Sequence, residues 1–377
     1  MNIHKKKVLV VGGFPAPDSK IVGGIVTTCQ ALLNSPFAHH FRLSLVDSTQ
    51  ISNPPPSFGI RLILSCRRFL IFFATLVRVR PDAVLLFAAD GASLAEKGLM
   101  AWTARALRMP ALIFPRATTV IDVFERSRFH RYWIIFAFRG AEYFLCQGPT
   151  WRNFAITAIG FSTEKSPIIR NWTATQSLLS IGESRRNKRP SGRPTILFLG
   201  WLESEKGIFE LLQASLWLSD EYGFQLKIAG RGHAEGAARS FIEDKGLDGV
   251  VSFCGWVGEG ERESLLCEAD ILVLPSWSEG FPNVIVEAMA AKVAVVATAV
   301  GNVPELIKNG EQALLVEPRD APALHRAMAI LLQDYKFRTG LAERGYEFAR
   351  NKFSLTSEVA KLTSVVDEAI SESGLER

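Results

Sequence analysis

Four apolar residues, Ile271, Leu272, Val273 and Leu274, run straight into Pro275, and the chain then changes character twice in quick succession. An apolar run this short suits a strand buried on both faces. Residues 275–280 are turn chemistry, with a proline, two serines and a glycine. Residues 282–292 then read as a helix, with Pro282 at its first position, where a missing N–H costs nothing. Val284, Ile285, Ala288 and Met289 make its buried stripe. Asn283 and Glu287 stand four apart on another face near the helix start, and Glu279 lies in the loop just before it. A buried strand, a tight loop and a helix in this order restrict the region to a parallel α/β layer.

The unpaired N–H groups at such a helix start favour phosphate. Two carboxylates beside them would repel a ligand that is phosphate alone. They suit a ligand that also carries hydroxyls, since a carboxylate accepts hydrogen bonds from a diol. A nucleotide-sugar offers a diphosphate, a ribose diol and a sugar polyol. The competing reading is a strand–turn–helix unit whose two glutamates are simply solvated.

The same alternation runs through the rest of the chain. Residues 7–11 form a strand ending at Gly12 and Gly13, followed by a loop rich in proline and glycine and a helix over 25–33. The spacing is not G-x-G-x-x-G, so the dinucleotide fingerprint is absent. Further strands are expected at 41–46, 83–87, 111–114 and 143–147, with a long helix over 61–79. Residues 168–171 close a first domain, and 172–194 turn polar and basic, as a linker does. Strands resume at 195–200, 225–230, 250–254, 271–274 and 294–298. Three helices end the chain, over 321–332, 336–351 and 357–370. A chain of 377 residues exceeds one core, so two domains are expected.

Charge divides the halves. Residues 1–170 hold 21 Lys and Arg against 9 Asp and Glu, a net of +12, whereas the remainder nets −7. A basic half points to an anionic surface: membrane, nucleic acid or a phosphorylated acceptor. The helix over 61–79 and the segment 126–139 both mix arginines with large apolar residues. Each reads either as a core helix with solvated arginines or as an interfacial helix. The basic run 185–194 has no interleaved aromatics to stack bases, which argues against nucleic acid. Five scattered cysteines with no C-x-x-C spacing suggest reduced thiols in a cytoplasmic protein without zinc. The lysines before Val8 resemble a signal peptide start, but the apolar run is too short, and a first buried strand is expected instead.

Glu279-Gly280-Phe281-Pro282-Asn283-Val284-Ile285-Val286-Glu287 resembles the E-x7-E motif of retaining glycosyltransferases of the family 4 type. Ala269-Asp270, Ala288-Met289-Ala290 and the run from Gly301 to Gly310 extend the likeness. The resemblance implies the GT-B fold, in which two Rossmann-like doubly wound α/β domains face each other across a cleft. The N-terminal acceptor-side domain would be 1–170 and the nucleotide-sugar domain 171–354, with a last helix, about 355–377, packed back on the first.

By the same resemblance Glu279 approaches the donor sugar and Glu287 binds the ribose. Gly23 and Gly24 let backbone approach the diphosphate, and Gly200 with Lys206 mark the loop that holds it. The usual arginine after that glycine is Trp201 here, so Arg116 or Arg231 is expected to supply the second cation. Arg116 also stands where many relatives carry a histidine. Gly232, Val257, Gly280, Phe281, Pro282 and Asn283 complete the donor site.

The implied reaction moves a hexosyl unit from a UDP- or GDP-sugar to a glycan or polyprenyl-linked acceptor, with retention, in bacterial surface polysaccharide synthesis. The absence of a D-x-D pair implies metal independence, and no cofactor is expected. The implied location is cytoplasmic, peripheral on the anionic inner face of the membrane, with no nucleic-acid partner. Two alternatives are a non-catalytic donor-binding or scaffold subunit, suggested by Trp201 and the missing histidine, and a nucleotide-sugar epimerase.

Overall fold

The computed structural model describes residues 5–15, 24–49, 56–117, 119–185, 192–279 and 281–374. The chain divides into two compact units, one formed by Met1–Trp172 with Leu355–Arg377 and the other by Thr173–Ser354.

Unit 1 begins with β1 (Lys7–Gly12), α1 (Gly24–Leu33), α2 (Pro36–His40) and β2 (Arg42–Asp47). It continues with α3 (Phe58–Val79), β3 (Ala83–Ala88), α4 (Gly91–Ala106) and β4 (Ala111–Pro115). Then come α5 (Thr119–Arg126), α6 (Arg128–Arg139), β5 (Tyr143–Phe144) and α7 (Pro149–Phe154), the last running into a π-turn at Ala155–Ile159. Its sheet has the order β2-β1-β3-β4-β5 with every pair parallel. β1 and β3 read as unbroken apolar runs because both faces are covered. Phe72 and Leu76 of α3, Met100 of α4 and Ile134 and Phe138 of α6 pack on one face. Cys29, Leu32 and Phe37 cover the other.

Segment 126–139 is the last residue of α5, the cap Ser127 and all of α6. Ser127 interrupts it, and its hydroxyl accepts from the His130 amide as an N-cap.

Unit 2 contains α8 (Gln176–Ser184), β6 (Thr195–Leu199), α9 (Ile208–Ser219), β7 (Gln225–Ala229), α10 (Glu235–Lys245) and β8 (Val251–Gly255). It continues with α11 (Glu259–Glu268), β9 (Ile271–Leu274), α12 (Asn283–Ala290), β10 (Ala294–Thr298) and α13 (Val303–Leu306). β11 (Leu314–Val316), α14 (Ala321–Gln333) and α15 (Tyr335–Lys352) close it. The sheet order is β11-β10-β9-β6-β7-β8, again with every pair parallel. Numbered from β6, this is the doubly wound order, whose direction of winding reverses between β6 and β9. Ligands of such sheets bind beyond the strand ends at that reversal.

The last helix, α16 (Leu355–Glu372), belongs to unit 1. Val359, Leu362 and Val366 enter the core on the α1 side. Lys6 and His40 both reach Asp367 at 2.8 Å, and the Tyr143 hydroxyl donates to Glu372.

Candidate active site

The loops that leave β6 and β9 meet at the strand reversal of unit 2. After β6 the chain makes a single 3-10 turn at Ser204–Lys206 and then a left-handed residue, Gly207, at φ 71°. A Cβ there would lie 2.0 Å from the Pro275 carbonyl oxygen, so only glycine lets the two loops touch. The Trp277 amide donates to the Glu205 carbonyl at 2.8 Å, and the Trp277 indole N–H donates to Glu210 Oε1 at 2.9 Å. Thr298, at the end of β10, donates to the Ser276 carbonyl.

This framework fixes a charged pair. Lys206 Nζ lies 2.6 Å from Glu279 Oε1, and the Ser276 hydroxyl donates to the same oxygen at 2.8 Å. Both side chains are partly buried, so water screens the pair only in part. The ammonium keeps donors free for an anion, and the carboxylate keeps its second oxygen for a hydroxyl.

Glu287 stands on α12 and is buried, 3% exposed. Arg262 Nη1 of α11 approaches its Oε1 at 3.5 Å. Burial pushes the Glu287 carboxyl above its ordinary value, and Arg262 opposes that rise. Neither glutamate is a freely solvated surface group, since Glu279 is paired and partly buried and Glu287 is buried. Pro282 is not the first helical residue. It caps α12 with φ −72° and ψ 123°, and Asn283 begins the helix.

The other expected donor-site residues spread around these loops. Trp201 and Trp256 pack against each other beyond β6 and β8, with ring centroids 5.0 Å apart. The Arg231 carbonyl accepts from the Leu202 amide at 2.9 Å, and its side chain is exposed. A Cβ on Gly232 would lie 2.2 Å from the Leu202 carbonyl oxygen, so this position holds the β6 and β7 loops together. Gly200 has room for a Cβ, with nothing nearer than the Phe198 ring at 3.7 Å. Val257 packs on the α12 side of the core. The Phe281 ring stacks on Phe353 at 5.3 Å. Gly280 and Gly23 lie outside the described residues.

Arg116 and Gly24 meet in unit 1 through a residue that the sequence did not single out. Arg116 Nη2 donates to Thr28 Oγ1 at 3.2 Å, and that hydroxyl donates to the Gly24 carbonyl at 2.7 Å. The guanidinium lies over the Phe114 ring, 4.8 Å from its centroid. Its Nη1 is buried with no hydrogen-bond partner among the described residues. Burial brings its pKa down to about 10, against a small opposing influence of Cys29. No ion pair to Arg116 occurs among the described residues. Arg262 and Thr28 escaped sequence reading, and Ser276 was read only as turn chemistry. Ser276, three residues before Glu279, lay close enough for a role to be suspected.

Residues 181–348, all of them in unit 2, fit the family model for glycosyl transferases group 1. Over 217 residues, 58% of the chain, the sequence is 28% identical to the lipopolysaccharide core biosynthesis glycosyltransferase LpsE of Rhizobium meliloti, and it spans 62% of that relative's length. Sucrose-phosphate synthase from Thermosynechococcus elongatus superposes with a TM-score of 0.74 at 18% identity, covering 98% of this chain and 100% of the other. Anabaena HepE in complex with UDP-glucose superposes with a TM-score of 0.68 at 18% identity, covering 97% and 99%. The fold is therefore GT-B, and the likeness to glycosyl transferases group 1 covers residues 181–348.

Proposed function

We propose that the protein moves a hexosyl unit from a nucleotide-sugar to a hydroxyl of a glycan or lipid-linked glycan, with retention of configuration, in the synthesis of a bacterial surface polysaccharide. The observation that carries this reading is the Lys206–Glu279 pair, held at the β6/β9 strand reversal, together with buried Glu287 on α12. LpsE belongs to lipopolysaccharide core biosynthesis by name, and HepE holds UDP-glucose. A UDP-sugar is therefore the first donor to try and a GDP-sugar the second.

In this reading the sugar C1–O bond to the diphosphate breaks as the acceptor oxygen bonds to C1 from the same face. The acceptor proton passes to a diphosphate oxygen. Lys206 stabilises the charge that grows on the leaving diphosphate, and Glu279 orients the sugar hydroxyls. Glu287 accepts from the ribose diol. Arg116 or Arg231 is proposed to supply the cation that Trp201 does not. The reaction is proposed to need neither a metal nor a cofactor, and to run on the cytoplasmic, anionic face of the membrane, where a polyprenyl-linked acceptor is held.

Lys206→Ala tests the assignment. Turnover should fall by about 10- to 100-fold, the equivalent of about 1.5–3 kcal/mol for a charged hydrogen bond, while donor affinity changes less. Equal changes in both would make the contact uniform binding and remove Lys206 from the chemistry. A donor-binding subunit without turnover is the second reading, favoured by Trp201 packing on Trp256 where a cation is usual. It predicts donor binding with no nucleotide release.

A further inference from the structure

We propose that the outward side of the α3, α4 and α6 layer of unit 1 is a docking surface for an anionic lipid bilayer. The inference deepens the membrane placement above by assigning the surface that makes the contact.

Three observations carry it. The first is that the three helices form one layer. All pack on the same face of the sheet, through Phe72, Met100 and Ile134 among others. Arg68 of α3 binds Glu96 of α4 through both carboxylate oxygens, at 2.8 and 2.9 Å. Trp102 of α4 stacks on Phe136 of α6 at 5.3 Å and donates to its carbonyl. Their outer sides therefore lie side by side.

The second is that the outer side is apolar. Ile63, Leu70 and Val77 recur every seven residues along α3, opposite Phe72 and Leu76, and are 69%, 66% and 53% exposed. On α6, Phe129 and Tyr132 are 76% and 73% exposed. A helix that only covers a sheet has one apolar stripe, and α3 has two. Among the described residues no helix is long and apolar enough to cross a membrane. The surface is suited to lie in an interface, with its apolar side chains sunk about 5–10 Å.

The third is charge. Neither α3 nor α6 contains an Asp or Glu. Arg61, Arg67, Arg78, Arg128 and Arg131 are exposed on them. Pairing of this face with a second copy would oppose arginine to arginine across a two-fold axis. An anionic bilayer supplies acyl chains for the apolar stripe and phosphates for the arginines, whose aliphatic stems let the charge reach the headgroups. Each basic residue near such a surface is worth about fivefold in affinity.

The test is sedimentation of the full chain with vesicles of phosphatidylcholine alone or mixed with phosphatidylglycerol, at low and high salt. Two variants accompany it: Ile63→Glu with Leu70→Glu, and Arg67→Glu with Arg128→Glu. Arg68 is left alone because it holds the core. Thermal midpoint and UDP binding should match wild type in both, since all four residues are exposed and lie in unit 1. Wild type should bind only the anionic vesicles and lose binding steeply as salt rises. Both variants should bind at least tenfold more weakly at low salt. The proposal is overturned if wild type ignores anionic vesicles at low salt or if the folded variants bind as wild type does. It is also overturned if the protein is a dimer that Leu70→Glu dissolves, because the face would then be a self-interface. Vesicle binding without sugar transfer would count against the proposed reaction and leave this surface standing.

Discussion

Units 1 and 2 share a parallel sheet with helices on both faces, and they differ in where they put their charges. In unit 2 the charges gather at the loop ends of β6 and β9, where Lys206, Glu279 and Ser276 share one oxygen. In unit 1 one set is locked beneath the helices, as Arg68, Glu96 and Lys97. Another set is spread over an apolar outer face. Loop charge that is fixed and only partly shielded is suited to a small polar ligand. Scattered arginines on apolar helices suit a broad, soft surface. The same fold thus presents two kinds of recognition, and the loops and outer helices decide which.

The sharpest break in unit 1 is Arg68→Glu. It would leave Glu96 facing a second carboxylate in a buried setting, where Lys97 is already held by desolvation below its usual lysine value. Removing one partner of a buried pair costs about 3–5 kcal/mol. Urea unfolding should show a loss of that order, and a loss below about 1 kcal/mol would make the pair a surface ornament.

In unit 2 the matching break is Gly207→Ala. The left-handed φ alone costs an alanine about 1 kcal/mol or more, and the contact with the Pro275 carbonyl adds to it. The loops should separate, so transfer should fall further than stability does. Thermal melting beside steady-state kinetics would show this. Unchanged turnover would mean that the loop contact does not position Lys206.

The smallest effect is a difference in slope. The folded Glu287 carboxyl is raised by burial, so its contribution favours the fold below the unfolded carboxyl value of about 4.3. That contribution is lost as pH rises through the folded value. The stability of Glu287→Gln relative to wild type should therefore increase from pH 4 to pH 7. Denaturant unfolding across that range would show it, and a flat difference would mean that Arg262 fully offsets the burial.

The sheets were legible in the sequence because parallel strands buried on both faces are continuous apolar runs, as at Ile271–Leu274 and Ala83–Ala88. The break at Ser127 was not, since one side-chain cap starts a new helix where the apolar pattern runs on. The π-turn at Ala155–Ile159 has no periodicity that marks it. In the site, the loop glycines and the two glutamates stood out as types at fixed spacing. Their partners did not. Lys206 and Glu279 are 73 residues apart, and the approach of Arg262 to Glu287 depends on how α11 and α12 lie on the sheet. The arginines of α3 showed the same limit. Nothing in their spacing tells Arg68, which is tied to Glu96, from Arg67, which faces water.

Counting two products at once tests sugar transfer most directly. The full chain would be incubated with radiolabelled UDP- and GDP-sugars and a membrane lipid extract, and released nucleotide compared with transferred sugar. One nucleotide should be released for each sugar moved, with both lost together in Glu279→Ala. Binding of nucleotide-sugar without release, or release with no sugar on any lipid or glycan, would contradict it.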